Sequence, residues 1–213
     1  MINPSRISIA IIVLLIFNAC ATYNPQYKNK NFETQVPDKE LAHSFYFIGD
    51  AGNSPSGGST DALVAFKNAL KEAPENSTAI FLGDNIYEKG LPKKTDENYD
   101  LSKHRLNAQL ETTNDFNGQA YFIPGNHDWY SGVKGLKRQE EYVEKALGKN
   151  TFLPENGCPI EKVSIARDID LIIVDSAWYI SNWDQHPTIN DDCDIKTRAA
   201  FLDEFGSLIK KAR

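Results

Sequence analysis

Three short apolar runs constrain this chain more than anything else in it, because each stops at a glycine followed by a side chain with a metal-capable oxygen. His43 to Ile48 (HSFYFI) ends at Gly49-Asp50, Thr78 to Leu82 (TAIFL) at Gly83-Asp84, and Ala120 to Ile123 (AYFI) at Pro124-Gly125-Asn126. The runs are short, apolar and bounded by turn residues, as buried strands are. Between them the apolar residues take helical spacing: Leu63, Val64, Phe66, Ala69 and Leu70 within Thr60 to Ala73, then Leu106 and Leu110 within Leu101 to Thr112. Strands that alternate with helices make βαβ crossovers and a largely parallel sheet. All three glycine-marked ends then leave the sheet at one edge, where ligands of such folds collect. The glycine before each lets the chain turn sharply and lets an ion approach. One Gly-Asp at a strand end is ordinary turn chemistry. Three in register are hard to read as unrelated turns.

Downstream, Gly135 to Leu147 reads as a charged amphipathic helix, with Arg138 to Lys145 expected as an exposed face. Val163 to Ala166 and Leu171 to Val174 read as strands around a tight turn at Arg167 to Asp170, and Ile195 to Lys211 as a last helix. The expected fold class is α/β. The 213 residues, 41% hydrophobic and 24% charged, are enough for a core without disulfide staples. With 23 Lys and Arg against 29 Asp and Glu, the net charge of −6 gives no support to nucleic-acid binding. An anionic substrate would have to be drawn by something other than a basic field, and metal cations do that.

The N-terminus reads as an address. One cationic side chain, Arg6, precedes an apolar run from Ile7 to Phe17, too short for the roughly 20 residues of a membrane span and suited to a signal-peptide core. Asn18-Ala19-Cys20-Ala21 resembles a bacterial lipoprotein processing site, which implies cleavage before Cys20 and a lipid on its thiol. Residues 1–19 are expected as signal peptide, 20–40 as a flexible tether, and 41–213 as the folded domain. The expected location is the bacterial envelope, membrane-anchored, with a periplasmic or secreted protein as the alternative. Export favours a disulfide between Cys158 and Cys193.

The third strand end continues as Gly125-Asn126-His127-Asp128, an amide, an imidazole and a carboxylate in succession. With Gly49-Asp50-x-Gly52 and Gly83-Asp84-x-x-Tyr87, it resembles the first three motifs of the calcineurin-like metallophosphoesterases, and most of all their purple acid phosphatase branch. The likeness covers roughly Phe45 to Arg213. It implies a layered metallophosphoesterase-type sheet and phosphoester hydrolysis by a dinuclear centre, with metal-activated water as nucleophile. The expected metals are iron with a divalent partner such as Zn, Mn or Fe, and the substrate a phosphoester small molecule. Two cations about 3.5–4 Å apart neutralise the phosphoryl oxygens and align the attacking water.

The resemblance implies that Asp50 and Tyr87 bind the first metal, Asp84 bridges both, and Asn126 binds the second. It places His127 at the phosphate or leaving group, with Asp128 orienting its other ring nitrogen. Gly52 stands where many members carry a metal-binding histidine, and Tyr87, a hard phenolate donor, stands where the purple acid phosphatases place a tyrosinate. The family's later histidines, including a Gly-His-x-His, have no counterpart in this sequence, where His43, His104, His127 and His186 are the only four. The expectation is therefore an incomplete domain, with the second half of its sheet sandwich missing and each metal shell partial. A non-catalytic relative, or a lipid-anchored binding protein, is the alternative. His104 is expected in solvent, His43 in a structural role, Ser54 to Ser59 (SPSGGS) as a flexible connector, and Trp129, Tyr130, Trp178, Tyr179 and Trp183 as a possible pocket wall.

Overall fold

The computed structural model of the chain describes residues 40–181 and 191–212. The signal peptide, Cys20, the tether, Trp183 and His186 lie outside them. Strands β1 (Ser44–Ile48), β2 (Ser77–Leu82) and β3 (Gln119–Ile123) form a parallel sheet in the order β1-β2-β3. Helix α1 (Asp61–Lys71) links the first two strands and α2 (Tyr99–Leu110) the next two. Thr60 starts α1 by accepting Leu63 N–H on its hydroxyl at 3.3 Å, so the helix begins where the polar loop ends. In the register, Ile48 faces Phe81 and Leu82 faces Ile123, and the loops after all three strands leave from the same edge.

The two-residue period of the strands divides the side chains between two faces. Ala79, Phe81, Ala120 and Phe122 point to one face, where they meet Leu63, Phe66 and Leu70 of α1, Leu106 of α2, and Leu136 and Val143 of α4 (Gly132–Leu147). Phe81 and Phe122 stack at 4.0 Å, and Phe66 sets its edge against Phe81 at 5.5 Å. On the other face, Tyr121 and Ile123 meet Leu153, Val163, Ile165, Leu171 and Ile173. These belong largely to a separate antiparallel hairpin of β4 (Ile160–Ala166) and β5 (Ile169–Val174). β1 is an edge strand; near it, Phe47 is 57% and Leu82 51% exposed.

Several local expectations are corrected. Asn126–Trp129 is a single helical turn (α3), and a second short helix, α5 (Ser176–Ile180), follows β5; neither helix is among the expected elements. The last helix, α6, runs Arg198–Lys211, capped by Thr197, so it begins after Ile195. The face Arg138 to Lys145 is not wholly exposed. Glu140 and Glu144 are buried, and they accept Asn156 N–H at 2.9 Å and Asn150 N–H at 2.8 Å. His104 is half-buried, its Nε2 within 2.8 Å of Pro55 O and 2.9 Å of Gly58 O, and it pins the Ser54 to Ser59 loop. His43 contacts Thr78 Oγ1 at 2.9 Å across the sheet. Cys158 and Cys193 form a disulfide. Among the described residues no helix is long and apolar enough to cross a membrane.

Candidate metal centre

The site is assembled from three loops, the first two of which bond to each other through their backbones. Asp50 N–H donates to Gly83 O at 3.2 Å, Gly52 N–H to Asp84 O at 3.0 Å, and Tyr87 N–H to Gly52 O at 3.0 Å. Asp50 and Asp84 each take the left-handed backbone conformation, with φ of 53° and 51°. Aspartate is among the few non-glycine residues that visit it readily. At the first strand end the left-handed residue is Asp50 itself and not Gly49, so the turn is made by the functional residue.

Gly52 is a matter of space. A Cβ there would overlap the carbonyl carbon of Asn85 and the carbonyl oxygen of Asp84. Loops one and two are therefore in backbone contact at the position where many members of the resembled family carry a histidine, and no side chain fits. Gly125 is similar: its Cβ would fall on Asp84 Oδ1 and N.

This close packing brings the oxygens together. Tyr87 O–H donates to Asp50 Oδ1 at 2.7 Å and lies 3.0 Å from Asp84 Oδ2. The other carboxylate oxygen of Asp84, Oδ1, accepts His127 N–H at 3.0 Å and so ties the second loop to the third. Burial first, then the hydrogen bonds to Asp50 and Asp84, hold the Tyr87 phenol far above its ordinary pKa. The shared proton is the only bridge between two carboxylates in these contacts. A cation in its place reverses the sign of the interaction and favours the phenolate. The donors are hard oxygens, which fit a hard cation. Among the described residues no group of three or more His, Cys, Asp or Glu side chains is placed to hold a metal. The converging set is two carboxylates and a phenol, with Asn126 on the adjoining loop.

His127 lies against Tyr87, ring centroids 4.3 Å apart. Its Nδ1 is 2.7 Å from Glu88 O, and a carbonyl only accepts, so Nδ1 carries the hydrogen. That leaves Nε2 for chemistry. The group that orients His127 is thus the Glu88 carbonyl, and the expected role of Asp128 is corrected. Asp128 is fully buried, and successive helical residues point about 100° apart. Its carboxylate turns back to Gly125 N–H (2.8 Å), Asn85 N–H (3.1 Å), Asn85 Nδ2 (3.2 Å), Ile86 N–H (3.1 Å) and Gln139 Nε2 (3.0 Å). It fastens the second loop to the third. Burial pushes its pKa up to about 6, although bonds from Gly125, Asn85 and Gln139 pull it down.

Among the described residues of the expected aromatic wall, Tyr130 borders these residues; it lies 4.8 Å from the His127 ring and its hydroxyl accepts Asn126 Nδ2–H at 2.7 Å. Trp178 is buried against Phe201, and Trp129 donates its indole N–H to buried Asp175 at 2.8 Å. Burial pushes the Asp175 carboxyl up to about 7.

Sequence reasoning missed the groups that hold the loops. Gln109 Nε2 donates to Asn85 O at 2.6 Å, Arg105 Nη1 to Tyr87 O at 2.6 Å, and Gln139 to Asp128. A signal was present. Gln109 falls on the Leu106–Leu110 stripe of α2, and Gln139 on the Leu136–Val143 stripe of α4. A polar residue on an apolar stripe has a buried partner to find.

No curated protein matches the chain. Residues 43–210 match the profile of the calcineurin-like phosphoesterases, a metal-dependent family that usually works with two ions. That span takes in all three loops and most of the chain, and the chain belongs to the calcineurin-like phosphoesterase family.

Proposed function

We propose that the chain is a dinuclear, acid phosphatase-like hydrolase of phosphoester small molecules, exported and lipid-anchored at Cys20 in a bacterial envelope. The observation that carries the reading is the convergence of Asp50, Asp84 and Tyr87 oxygens beside His127 and Asn126 at one edge of the sheet. Asp50 and Tyr87 would hold one ion, Asn126 the other, and Asp84 both. When bound, the pair would neutralise phosphoryl charge and acidify water. The phenol favours a ferric ion with a divalent partner such as Zn, Mn or Fe.

The protein's own residues do the rest. His127, with Nδ1 held by the Glu88 carbonyl, presents Nε2 as the atom that carries a proton to the leaving oxygen. A cationic imidazole bears hydrogens on both nitrogens, so Nε2 can donate while Nδ1 stays on the Glu88 carbonyl. Asp128 ties the second loop to the third and Gln109 holds the second loop to α2, so the oxygens stay converged without rearrangement. Export rests on the charged start, the short apolar run and the Ala19-Cys20 site of the sequence.

A second reading, a non-catalytic or binding relative, is favoured by one observation: the described carboxylates and histidines form no group of three. Hydrolysis of p-nitrophenyl phosphate separates the two. The catalytic reading expects turnover by the iron- and zinc-loaded chain, lost with chelator and in Asp84→Asn, and a visible charge-transfer band lost in Tyr87→Phe. Metal-loaded protein without turnover leaves the second reading.

A further inference from the structure

Asn126 and Tyr130 are four residues apart across the single turn of α3, so they share a face. The Asn126 amide donates from Nδ2 to the Tyr130 hydroxyl oxygen at 2.7 Å. An amide has one donor end and one acceptor end. Fixing the donor end on Tyr130 fixes where Oδ1 points. Tyr130 is itself held at the end of that turn, its N–H donating to His127 O at 3.2 Å and its ring tilted against His127 at 4.8 Å. It is also 57% exposed, so its hydroxyl is not needed to fill the core.

We propose that Tyr130 is a positioning residue of the metal centre: its hydroxyl locks the Asn126 amide so that Oδ1, and not Nδ2, is offered to a cation. The proposal rests on the metal-centre reading above. The opposite arrangement, with Tyr130 donating to Oδ1, would occupy a lone pair that a cation needs. The two arrangements therefore predict opposite effects of removing the hydroxyl. Loss of a partner that orients a metal ligand weakens metal affinity by about 10–100-fold.

The test is Tyr130→Phe in the full chain, which keeps the ring against His127 and removes one oxygen. Two readouts are taken. The first is the side-chain amide resonance of Asn126 in metal-free protein, assigned by its loss in Asn126→Asp. The second is Mn2+ affinity by calorimetry. The proposal expects the amide protons to move to the positions of a free amide and Mn2+ to bind at least about 10-fold more weakly. Unchanged amide resonances, or tighter Mn2+ binding, overturn it. If the unsubstituted chain binds no Mn2+, the metal-centre reading fails and the proposed metal role falls with it. The amide resonances would then still show whether Tyr130 holds Asn126.

Discussion

Substituting Asp128 separates a loop clamp from a histidine orienter. In Asp128→Ala, three backbone N–H groups, of Gly125, Asn85 and Ile86, lose their acceptor in a buried site. At about 1–3 kcal/mol for each buried orphan the loss is about 3–9 kcal/mol, a large share of the ~5–15 kcal/mol that holds a domain together. Asp128→Asn differs. Its nitrogen can take the Oδ1 corner if Gln139 turns its amide to present Oε1, an atom without a partner at present. Only Ile86 N–H is then opposed by a donor, at about 1–3 kcal/mol. Against this, the neutral amide relieves the buried charge. The carboxyl moves from 3.8 to about 6, which at about 1.4 kcal/mol per pH unit favours the neutral group by roughly 3 kcal/mol. At pH 7.5 the two contributions nearly cancel, and Asp128→Asn should lie within about 1–2 kcal/mol of the unsubstituted chain. At pH 5 the folded carboxyl is largely protonated but the unfolded one, at 3.8, is still ionised, so about 1.6 kcal/mol of the relief remains; relative to the native chain the variant should therefore lose roughly 1.4 kcal/mol between pH 7.5 and pH 5. Urea unfolding followed by Trp129 and Trp178 fluorescence measures this. A fully folded Asp128→Ala, within about 1 kcal/mol of the native chain, would refute the clamp.

Gly52→Ala should destabilise the fold by about 1–3 kcal/mol or more, because its Cβ meets backbone and not a movable side chain; equal urea midpoints would contradict this. Asp175 gives a pH dependence. Its folded pKa, about 7, is raised above the ordinary 3.8, so the stability from its protonation is present at low pH and lost as pH rises through about 7. The melting temperature should fall from pH 5 to pH 8 by an amount that Asp175→Asn reduces, with about 3 kcal/mol as the ceiling over that window; identical slopes in both proteins would refute it. Reducing the Cys158–Cys193 disulfide, whose ends are 35 residues apart, should cost about 4 kcal/mol by loop entropy. Thermal melts with and without reductant check this, and a shift below 1 °C would contradict it.

The sheet edge was legible because glycine-bounded apolar runs and helical spacing are local patterns. Asp50, Asp84 and Tyr87 are brought into contact by the parallel register, which those patterns imply. The separate hairpin was half legible: its tight turn showed, but not which face of the sheet it would cover. Asp128 was misassigned because adjacency in sequence stood in for adjacency in space. In a helical turn the neighbour of His127 points elsewhere, and Glu88, on another loop, supplies the contact through a backbone oxygen that no side-chain identity encodes. Glu140 and Glu144 were read as surface because charge patterning does not show which backbone N–H groups the fold delivers to a helix.

The central claim is that the three strand-end loops bind metal together. Calorimetric titration of the full chain and of Asp84→Asn with Mn2+ tests it most directly, since Asp84 touches both other loops, its backbone oxygen accepting Gly52 N–H and its Oδ1 accepting His127 N–H. The account predicts saturable binding of about two ions by the native chain, abolished or reduced at least tenfold by the substitution, in protein that remains folded. Equal binding by both proteins, or none by the native chain, would contradict it.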